Sequence, residues 1–138
     1  MHITVQQAKD ATLMAKGDSN HWVPMDSIKK FGGSEAATKP IEMLLMSLGG
    51  CTGMDVLSLL KKMRVDIDDF KIEISGERED EHPKIFTKLH LEYYFVGNNI
   101  DETKVQKAVS LSQEKYCAVS AMLKKSAELT YNITITEN

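Results

Sequence analysis

Two cysteines are the residues of this chain best suited to chemistry. Cys51 and Cys117 are its only cysteines and lie 66 positions apart. A thiolate is a nucleophile and a redox centre, and two thiols can act as an attacking and a resolving cysteine that close a disulfide. Each of the two lies at an unusual point of a helical pattern, which favours such a pair. The spacing leaves open whether the two sulfurs meet in the fold.

Cys51 lies in a glycine-rich stretch, Gly49-Gly50-Cys51-Thr52-Gly53. A helical glycine costs up to ~1 kcal/mol relative to alanine, so three glycines around one cysteine need a reason. They let a helix or a substrate approach the sulfur closely, or they break the helix just before Cys51 and create a helix N-terminus that stabilises a thiolate. The alternative is structural, because glycine and cysteine are small residues that suit a tight helix crossing.

The charges near Cys51 in the sequence do not favour its ionisation. Asp55 follows four residues later, on the same face of a helix, and a negative neighbour raises the pKa of a thiol. No lysine or arginine lies within four positions of Cys51. If Cys51 is reactive, a cation from elsewhere in the fold or from a dimer partner must act on it.

Cys117 lies where one helical pattern ends and another begins. A helix that starts there would lower the pKa of its thiol, and the alternative is a buried cysteine at a helix junction. No other cluster points to a metal, because the four histidines are scattered without CxxC or HxxxH spacing. We therefore expect no metal site.

Length and composition predict the class of protein. The 138 residues match one domain, so we expect a single domain over residues 1–138. A net charge of −3 argues against non-specific nucleic-acid binding. The longest uncharged run, residues 43–54, is shorter than the ~20 residues of a membrane span. Two cysteines are too few for a secreted fold framed by disulfides, and a charged N-terminal region lacks a signal peptide. These features predict a cytoplasmic protein that binds neither nucleic acid nor membrane.

A long apolar helix is predicted over residues 41 to about 60. Pro40 suits its first turn, and Glu42 favours its N-terminus. Apolar residues recur at helical spacing and also cover the opposite face, so the helix must be buried nearly all round. At ~1.5 Å per residue it is on the order of 35 Å long. One small domain can hardly cover that length, so we expect a second subunit to bury part of it.

Shorter elements are predicted on both sides of this helix. Strands are expected over residues 3–6, 11–16 and 21–25 before it, and over 70–75, about 85–96 and the end of the chain after it. The strands at 70–75 and 85–96 form a β-hairpin. A second helix, capped by Asp101, reaches about Tyr116, and another helical turn or two follows over 117–125. The class is α+β, with β-sheets packed around two main helices.

Two strings resemble a known family. Residues 39–55 read KPIEMLLMSLGGCTGMD and residues 112–122 read SQEKYCAVSAM, while the hairpin carries ER at 77–78 and HPK at 82–84. Together they resemble the OsmC/Ohr family, the osmotically inducible protein C and organic hydroperoxide resistance proteins, and within it the YhfA-like branch. The resemblance covers nearly the whole chain.

The resemblance implies the OsmC-like fold, in an intertwined α+β homodimer with two active sites at the subunit interface. It implies a thiol peroxidase in which Cys51 is the peroxidatic and Cys117 the resolving cysteine. The implied substrate is a small-molecule peroxide, either an organic hydroperoxide or hydrogen peroxide. No bound cofactor is implied, and the reductant is an external thiol such as a dithiol or lipoyl group.

Two positions differ from the peroxidase members of the family. Those members pair the thiolate with an arginine in the N-terminal region, whereas the first arginine here is Arg64. Lys16 or Lys39 would replace it only as a compact charge. Those members also carry a glutamate directly after the helix-starting proline, where this chain has Ile41 and then Glu42. One residue rotates a side chain by about 100° around a helix. Glu42 is retained as a candidate catalytic residue.

The leading hypothesis is a peroxidase of oxidative-stress defence that cycles through a Cys51–Cys117 disulfide. The alternative is a redox-sensing or apolar-ligand-binding protein of the same family, in which Cys51 is at most a modification site. The missing arginine and the displaced glutamate favour this alternative. A non-redox thiol enzyme such as a hydrolase has less support, because no histidine lies near either cysteine in the sequence.

Overall fold

The computed structural model describes every residue of the chain, 1–138, in two compact units. The first unit, Met1–Met46, holds an antiparallel sheet in the order β1-β2-β3. Its elements are β1 Thr4–Lys9, β2 Thr12–Lys16, β3 Val23–Met25 and a 3₁₀ turn at Lys29–Phe31. The turn between β2 and β3 forms at a cluster of polar residues and glycine, as turn chemistry predicts.

A buried carboxylate holds the loop that follows β3. Asp26 is 2% exposed. It accepts hydrogen bonds from the Ser34 hydroxyl at 2.6 Å and from the backbone N–H groups of Ser27, Ser34 and Ala36. These donors, the Ser34 hydroxyl above all, hold the pKa of Asp26 well below its usual range. One charged group therefore anchors this loop.

The long helix α1 spans Pro40–Lys62 without interruption. Glu42, in its first turn, accepts a hydrogen bond from the backbone N–H of Lys39 at 3.1 Å and pairs with the Lys39 ammonium at 2.9 Å. The backbone contact is one half of a capping box. Because the helix continues through Cys51, the interpretation that a new helix starts at that residue is wrong.

The second unit, Ser47–Asn138, is built on a sheet in the order β4-β5-β6. The predicted hairpin is confirmed: β4, Asp69–Arg78, pairs antiparallel with β5, Phe86–Val96. The last strand, β6, spans Glu128–Thr136 and pairs in parallel with β5. Because β5 is central, its alternate residues are buried, and these are Leu89, Leu91, Tyr93 and Phe95.

Parallel pairing of β5 and β6 requires a crossover, which three helical segments supply. They are α2 Glu102–Leu111, a π-helical segment at Ser112–Tyr116, and α3 Ala118–Leu123. Asp101 caps α2 as predicted, because its carboxylate accepts from Lys104 N–H at 3.1 Å. Cys117 is the N-cap residue of α3. The π-helical segment replaces the last turn of the predicted helix, and such segments are frequent at functional sites.

Two glycines of α1 face β4, and one of them lies close to it. A Cβ at Gly49 would lie 3.1 Å from Ile74 Cδ1, and one at Gly53 would lie 3.4 Å from Ile72 Cδ1. Gly50 differs from both, because it is exposed and a Cβ there would meet nothing within 4 Å. Close helix–sheet packing therefore explains Gly49, whereas a Cβ at Gly53 would make an ordinary van der Waals contact and one at Gly50 would make none.

Only one face of α1 is buried within this chain. Its buried residues are Leu48, Thr52, Gly53, Val56 and Leu60, whereas Met54 is 70% and Leu57 43% exposed. By length and composition alone α1 could also cross a membrane, with a mean hydropathy of 1.6 over its most apolar window. This is weak evidence, since core helices of proteins outside membranes pass the same test. The expectation that the chain does not enter a membrane stays a prediction.

The predicted class is confirmed. Two sheets and three α-helices make a mixed α+β chain, and each predicted strand and helix is present. The expectation of a single domain stays a prediction.

Candidate active site

The side chains of the two cysteines lie close together in the second unit. The sulfurs of Cys51 and Cys117 and a carboxylate oxygen of Asp55 all lie within 4.8 Å of one another. Cys51 and Asp55 are one turn apart on the same face of α1. Both cysteines are free thiols. A disulfide has its sulfurs ~2.05 Å apart, so a modest approach of the two side chains would close it.

The two thiols differ in their access to solvent. Cys117 is 2% exposed, whereas Cys51 is partly exposed. Cys117 Sγ accepts a hydrogen bond from Ser120 N–H at 3.3 Å, and the backbone N–H of Val119 is hydrogen-bonded to Cys51. The first turn of α3 thus places one N–H group on each sulfur. A small molecule arriving from solvent reaches Cys51 first.

The surroundings of Cys51 favour the protonated thiol. Burial raises the pKa of the Cys51 thiol, and the hydrogen bond and charge of Cys117 raise it further, as does the charge of Asp55. The Val119 N–H acts in the opposite direction. No cation is among these influences. The expectation that Asp55 disfavours ionisation is confirmed.

A row of hydroxyl groups, which we call the hydroxyl chain, ends at Asp55. Ser112 Oγ donates to Asp55 Oδ2 at 3.2 Å. Thr52 Oγ1 lies 2.8 Å from Ser112 Oγ, and Tyr93 OH lies 2.7 Å from Thr52 Oγ1. The three hydroxyl residues are fully buried. The hydroxyl chain therefore links α1, β5 and the π-helical segment through hydrogen bonds in the core.

The protons of the hydroxyl chain all point one way. Each hydroxyl has a single proton, and an ionised carboxylate only accepts. Ser112 therefore donates to Asp55, Thr52 donates to Ser112, and Tyr93 donates to Thr52. The Gln113 amide donates to Thr52 Oγ1 at 3.1 Å and to Tyr93 OH at 2.8 Å. These amide bonds use the acceptor capacity that the two hydroxyl oxygens retain.

Two buried polar atoms beside these groups have no hydrogen-bond partner, Gln113 Oε1 and Ser120 Oγ. Leaving a buried acceptor unmet costs about 1–3 kcal/mol, so each such atom needs an explanation. Lys124 Nζ holds the backbone carbonyl of Gln113 at 2.7 Å and so fixes the π-helical segment. A bound molecule or water at the site would satisfy the two unmet atoms.

Glu42, the third predicted site residue, belongs to the first unit. Its carboxylate is engaged with Lys39, whose ammonium and backbone N–H lower the pKa of Glu42. These contacts explain the residue as part of the start of α1. Its catalytic role stays a prediction.

Sequence patterns did not reveal the hydroxyl chain. Thr52 is a polar residue inside an apolar helix, and Ser112 falls on the inner face of the second predicted helix. Both positions are signals of a buried hydrogen bond. Tyr93 and Gln113 gave no such signal. The alternation of β5 makes Tyr93 look like an ordinary core residue, and the hydrogen-bond partners of both residues depend on the fold.

Comparisons with known proteins agree with this fold. Residues 32–132 match the family described as OsmC-like protein. The chain is 34% identical over 135 residues to Protein YhfA of Escherichia coli strain K12, which covers 98% of both chains. A hypothetical protein from Aquifex aeolicus VF5 superposes with a TM-score of 0.82 at 33% identity, over 98% of this chain and 96% of that one.

An organic hydroperoxide resistance protein OsmC from Legionella pneumophila has the same fold. It superposes with a TM-score of 0.70 at 11% identity, over 96% of this chain and 95% of that one. At that identity the likeness concerns the fold alone. The family match and the 34% identity to YhfA show the family as well as the fold: the chain belongs to the OsmC-like protein family.

Proposed function

We propose that the protein is a cysteine peroxidase that reduces organic hydroperoxides or hydrogen peroxide in oxidative-stress defence. The observation that carries the proposal is the approach of the Cys51 and Cys117 sulfurs to within 4.8 Å. Two thiols so close on separate elements suit a disulfide cycle. The Legionella pneumophila protein of the same fold, named an organic hydroperoxide resistance protein, adds support from its name.

The reaction has two steps on the protein. The Cys51 thiolate attacks the terminal oxygen of ROOH, the O–O bond breaks, and the alkoxide takes a proton and leaves as ROH while Cys51 becomes a sulfenic acid. Cys117 then attacks the sulfenic sulfur, the S–O bond breaks, and water leaves as the disulfide forms. An external dithiol, such as a lipoyl group, restores both thiols by two exchange steps and is itself oxidised to a disulfide.

The exposure of the two sulfurs supports this division of roles. Peroxide must reach the attacking thiol from solvent, and Cys51 is the partly exposed one. Cys117 is almost completely buried, so it reacts with its neighbour rather than with solutes. Two cysteines are too few for a secreted fold framed by disulfides, and we propose the cytoplasm as the location.

Turnover with cumene hydroperoxide and dihydrolipoamide tests the proposal. We expect Cys51→Ser to abolish turnover, and Cys117→Ser, assayed without dithiol, to consume one equivalent of peroxide and then stop with Cys51 as a sulfenic acid. Intact mass of the wild-type protein after one equivalent should show the loss of two hydrogens per chain. Full turnover by Cys51→Ser, or two unchanged thiols after peroxide, would show that the proposal is wrong.

The proposed role of Glu42 needs its own comparison, because this residue also stabilises the start of α1. Glu42→Gln removes the charge, while Lys39→Met removes the ion pair and keeps the Glu42 carboxylate. A loss of turnover in Glu42→Gln that Lys39→Met does not share would support catalysis. Equal losses in both variants would assign Glu42 to the helix start alone.

We further propose a homodimer that covers the outer face of α1. Met54 and Leu57 are exposed there beside Gly50, and a continuous apolar helix face in water is unfavourable. Light scattering should give twice the chain mass of 15.5 kDa. Met54→Glu should give the mass of one chain, and Ile85→Glu, at an apolar position 44% exposed outside α1, should keep the dimer. A single-chain mass for the wild-type protein would contradict the dimer.

A second candidate function is redox sensing or the binding of an apolar ligand. The observation that favours it is the raised pKa of Cys51, for which burial is the largest cause. A sensor would oxidise once with peroxide and turn over slowly with dithiol. Native mass spectrometry of protein purified from cells would reveal a bound apolar ligand.

A further inference from the structure

The two thiols and Asp55 together also have the composition of a metal site. We propose that the reduced protein binds one Zn²⁺ per chain through Cys51 Sγ, Cys117 Sγ and an Asp55 carboxylate oxygen, with a fourth position open to water. Two thiolates and one oxygen are ligands that Zn²⁺ accepts, and an open fourth position is usual where zinc sites have three protein ligands. Binding requires only reduced thiols, so it does not depend on the proposed peroxidase activity.

The spacing of the donor atoms fits a tetrahedral ion. With Zn–S at ~2.3 Å and Zn–O at ~2.0 Å, ligand atoms in a tetrahedral site lie about 3.5–3.8 Å apart. The three atoms here are within 4.8 Å of one another, so small rotations of the side chains bring them onto one ion. Cys51 and Asp55 are also separated by four positions on α1, a spacing by which one helix face offers two ligands to one metal.

The three proposed ligands already have hydrogen-bond partners of the kind that orient metal ligands in other proteins. Ser112 donates to Asp55 Oδ2 and leaves Oδ1 without a hydrogen bond, so the second oxygen is available to an ion. Val119 N–H and Ser120 N–H each contact one of the two sulfurs. Hydrogen bonds of this kind orient ligands and tune their affinity. The hydroxyl chain behind Ser112 makes this arrangement rigid.

The charges of the site also fit a cation. Two thiolates and one carboxylate each carry a negative charge, and none of the ion pairs in the structure involves Asp55. A divalent ion would neutralise most of this charge. Since Cys51 is partly exposed, the ion can enter from solvent on that side.

The histidines do not offer a competing site. His90, for example, uses its two ring nitrogens on Thr130 and Glu92 at 2.6 and 2.8 Å. The group formed by Cys51, Asp55 and Cys117 is the one cluster of three potential ligands in the structure. Zn²⁺ held there engages both thiols, so metal binding and disulfide formation exclude each other.

Titration of the reduced protein with Co²⁺ under anaerobic conditions tests the proposal. Thiolate-to-cobalt charge-transfer absorption should rise to an end point at one ion per chain, with the intensity of two thiolates, and one equivalent of Zn²⁺ should remove it. Cys51→Ser or Cys117→Ser should leave at most the intensity of one thiolate. Asp55→Asn should weaken Zn²⁺ binding at least roughly 10- to 100-fold in competition with a chromophoric chelator. Asp66→Asn, at an exposed acid of the same unit, should bind like the wild type.

Three results would overturn the proposal: no charge-transfer band in the wild-type protein, an end point of one ion per two chains, or equal Zn²⁺ affinity in Asp55→Asn and Asp66→Asn. The spectrum of the wild-type protein tests metal binding even if a variant fails to fold, and circular dichroism would reveal such a failure. Peroxide turnover measured in the presence of a chelator is a separate readout. Failure of metal binding therefore leaves the peroxidase proposal standing, and the reverse also holds.

Discussion

Ser112 Oγ lies 3.2 Å from Asp55 Oδ2, and this hydrogen bond joins the π-helical segment to α1 across 57 positions of sequence. It fixes the carboxylate beside the two sulfurs. Behind Ser112 the hydroxyl chain continues through Thr52 to Tyr93 in the core of the second unit. The orientation of Asp55 is therefore set by buried residues of three elements and not by its own helix alone.

Removal of the Ser112 hydroxyl should destabilise the fold. We expect Ser112→Ala to lower the free energy of unfolding by about 1.5–3 kcal/mol, because a donor to a carboxylate is lost and the Thr52 proton loses its acceptor. Urea unfolding followed by circular dichroism measures the difference. Ser58→Ala, at an exposed serine of α1, should change stability by less than about 0.5 kcal/mol. Equal small effects of the two substitutions would contradict a structural role for this bond.

The raised pKa of Cys51 predicts a steep pH dependence of its reactivity. Only the thiolate reacts with iodoacetamide, so the rate should increase about tenfold per pH unit up to a pKa above the ordinary value of about 8.5. Peptide mapping separates Cys51 from Cys117. Asp55→Asn removes a negative neighbour and should lower the pKa of Cys51, so alkylation near neutral pH becomes faster. Asp66→Asn should have no such effect, and a rate without pH dependence around neutrality would refute the assignment.

Asp26 predicts a loss of stability in acid. The folded-state pKa of Asp26 lies below its value of about 4 in the unfolded chain. Its stabilising contribution is therefore fully present above that value and is lost as the pH falls toward the folded-state pKa. Asp26→Asn should be less stable at neutral pH, because an amide cannot accept from all the donors that the carboxylate serves.

The difference in the free energy of unfolding between the wild-type protein and Asp26→Asn should become smaller in acid. Urea midpoints at neutral pH and near pH 3 give the two values. Asp10→Asn, at an exposed aspartate of the same unit, is the matched control and should follow the wild-type curve. If the urea midpoints of the wild-type protein and Asp26→Asn differed by the same amount at both pH values, the charge of the carboxylate would contribute nothing to stability.

The glycines of α1 should respond differently to the same substitution. Gly49→Leu places bulk against Ile74 and should lower the free energy of unfolding by about 1–3 kcal/mol. A Cβ at Gly50 meets no atom within 4 Å and the position is exposed, so Gly50→Leu gains helix propensity and should keep or raise stability. Urea unfolding in a Met54→Glu background keeps the proposed dimer interface out of the comparison. Equal losses at both positions would contradict close helix–sheet packing as the reason for Gly49.

Local patterns predicted most of the secondary structure. The proline start of α1, the Asp101 cap and the alternation of β4 and β5 are each contained in a few neighbouring residues, and each is present in the structure. The direction of β6 could not be predicted in this way, because alternation is the same for a parallel and an antiparallel strand. The π-helical segment likewise has no signature in the apolar spacing of α2.

The candidate site was predictable only in part, for the same reason. Unusual surroundings identified Cys51 and Cys117 in the sequence, and helical spacing placed Asp55 beside Cys51. The distance between the sulfurs depends on how the crossover lies on the sheet, which no local pattern contains. The bond from Ser112 to Asp55 depends on the same long-range arrangement.

Because β6 pairs in parallel with β5, the last strand of the chain completes the sheet. The crossover that holds Cys117 is closed only when Glu128–Thr136 has added to the sheet. During synthesis Cys51 emerges 66 residues before Cys117, and both thiols are made before the strand that closes the crossover. A chain that stops before β6 contains both cysteines but lacks the strand that closes the crossover holding Cys117.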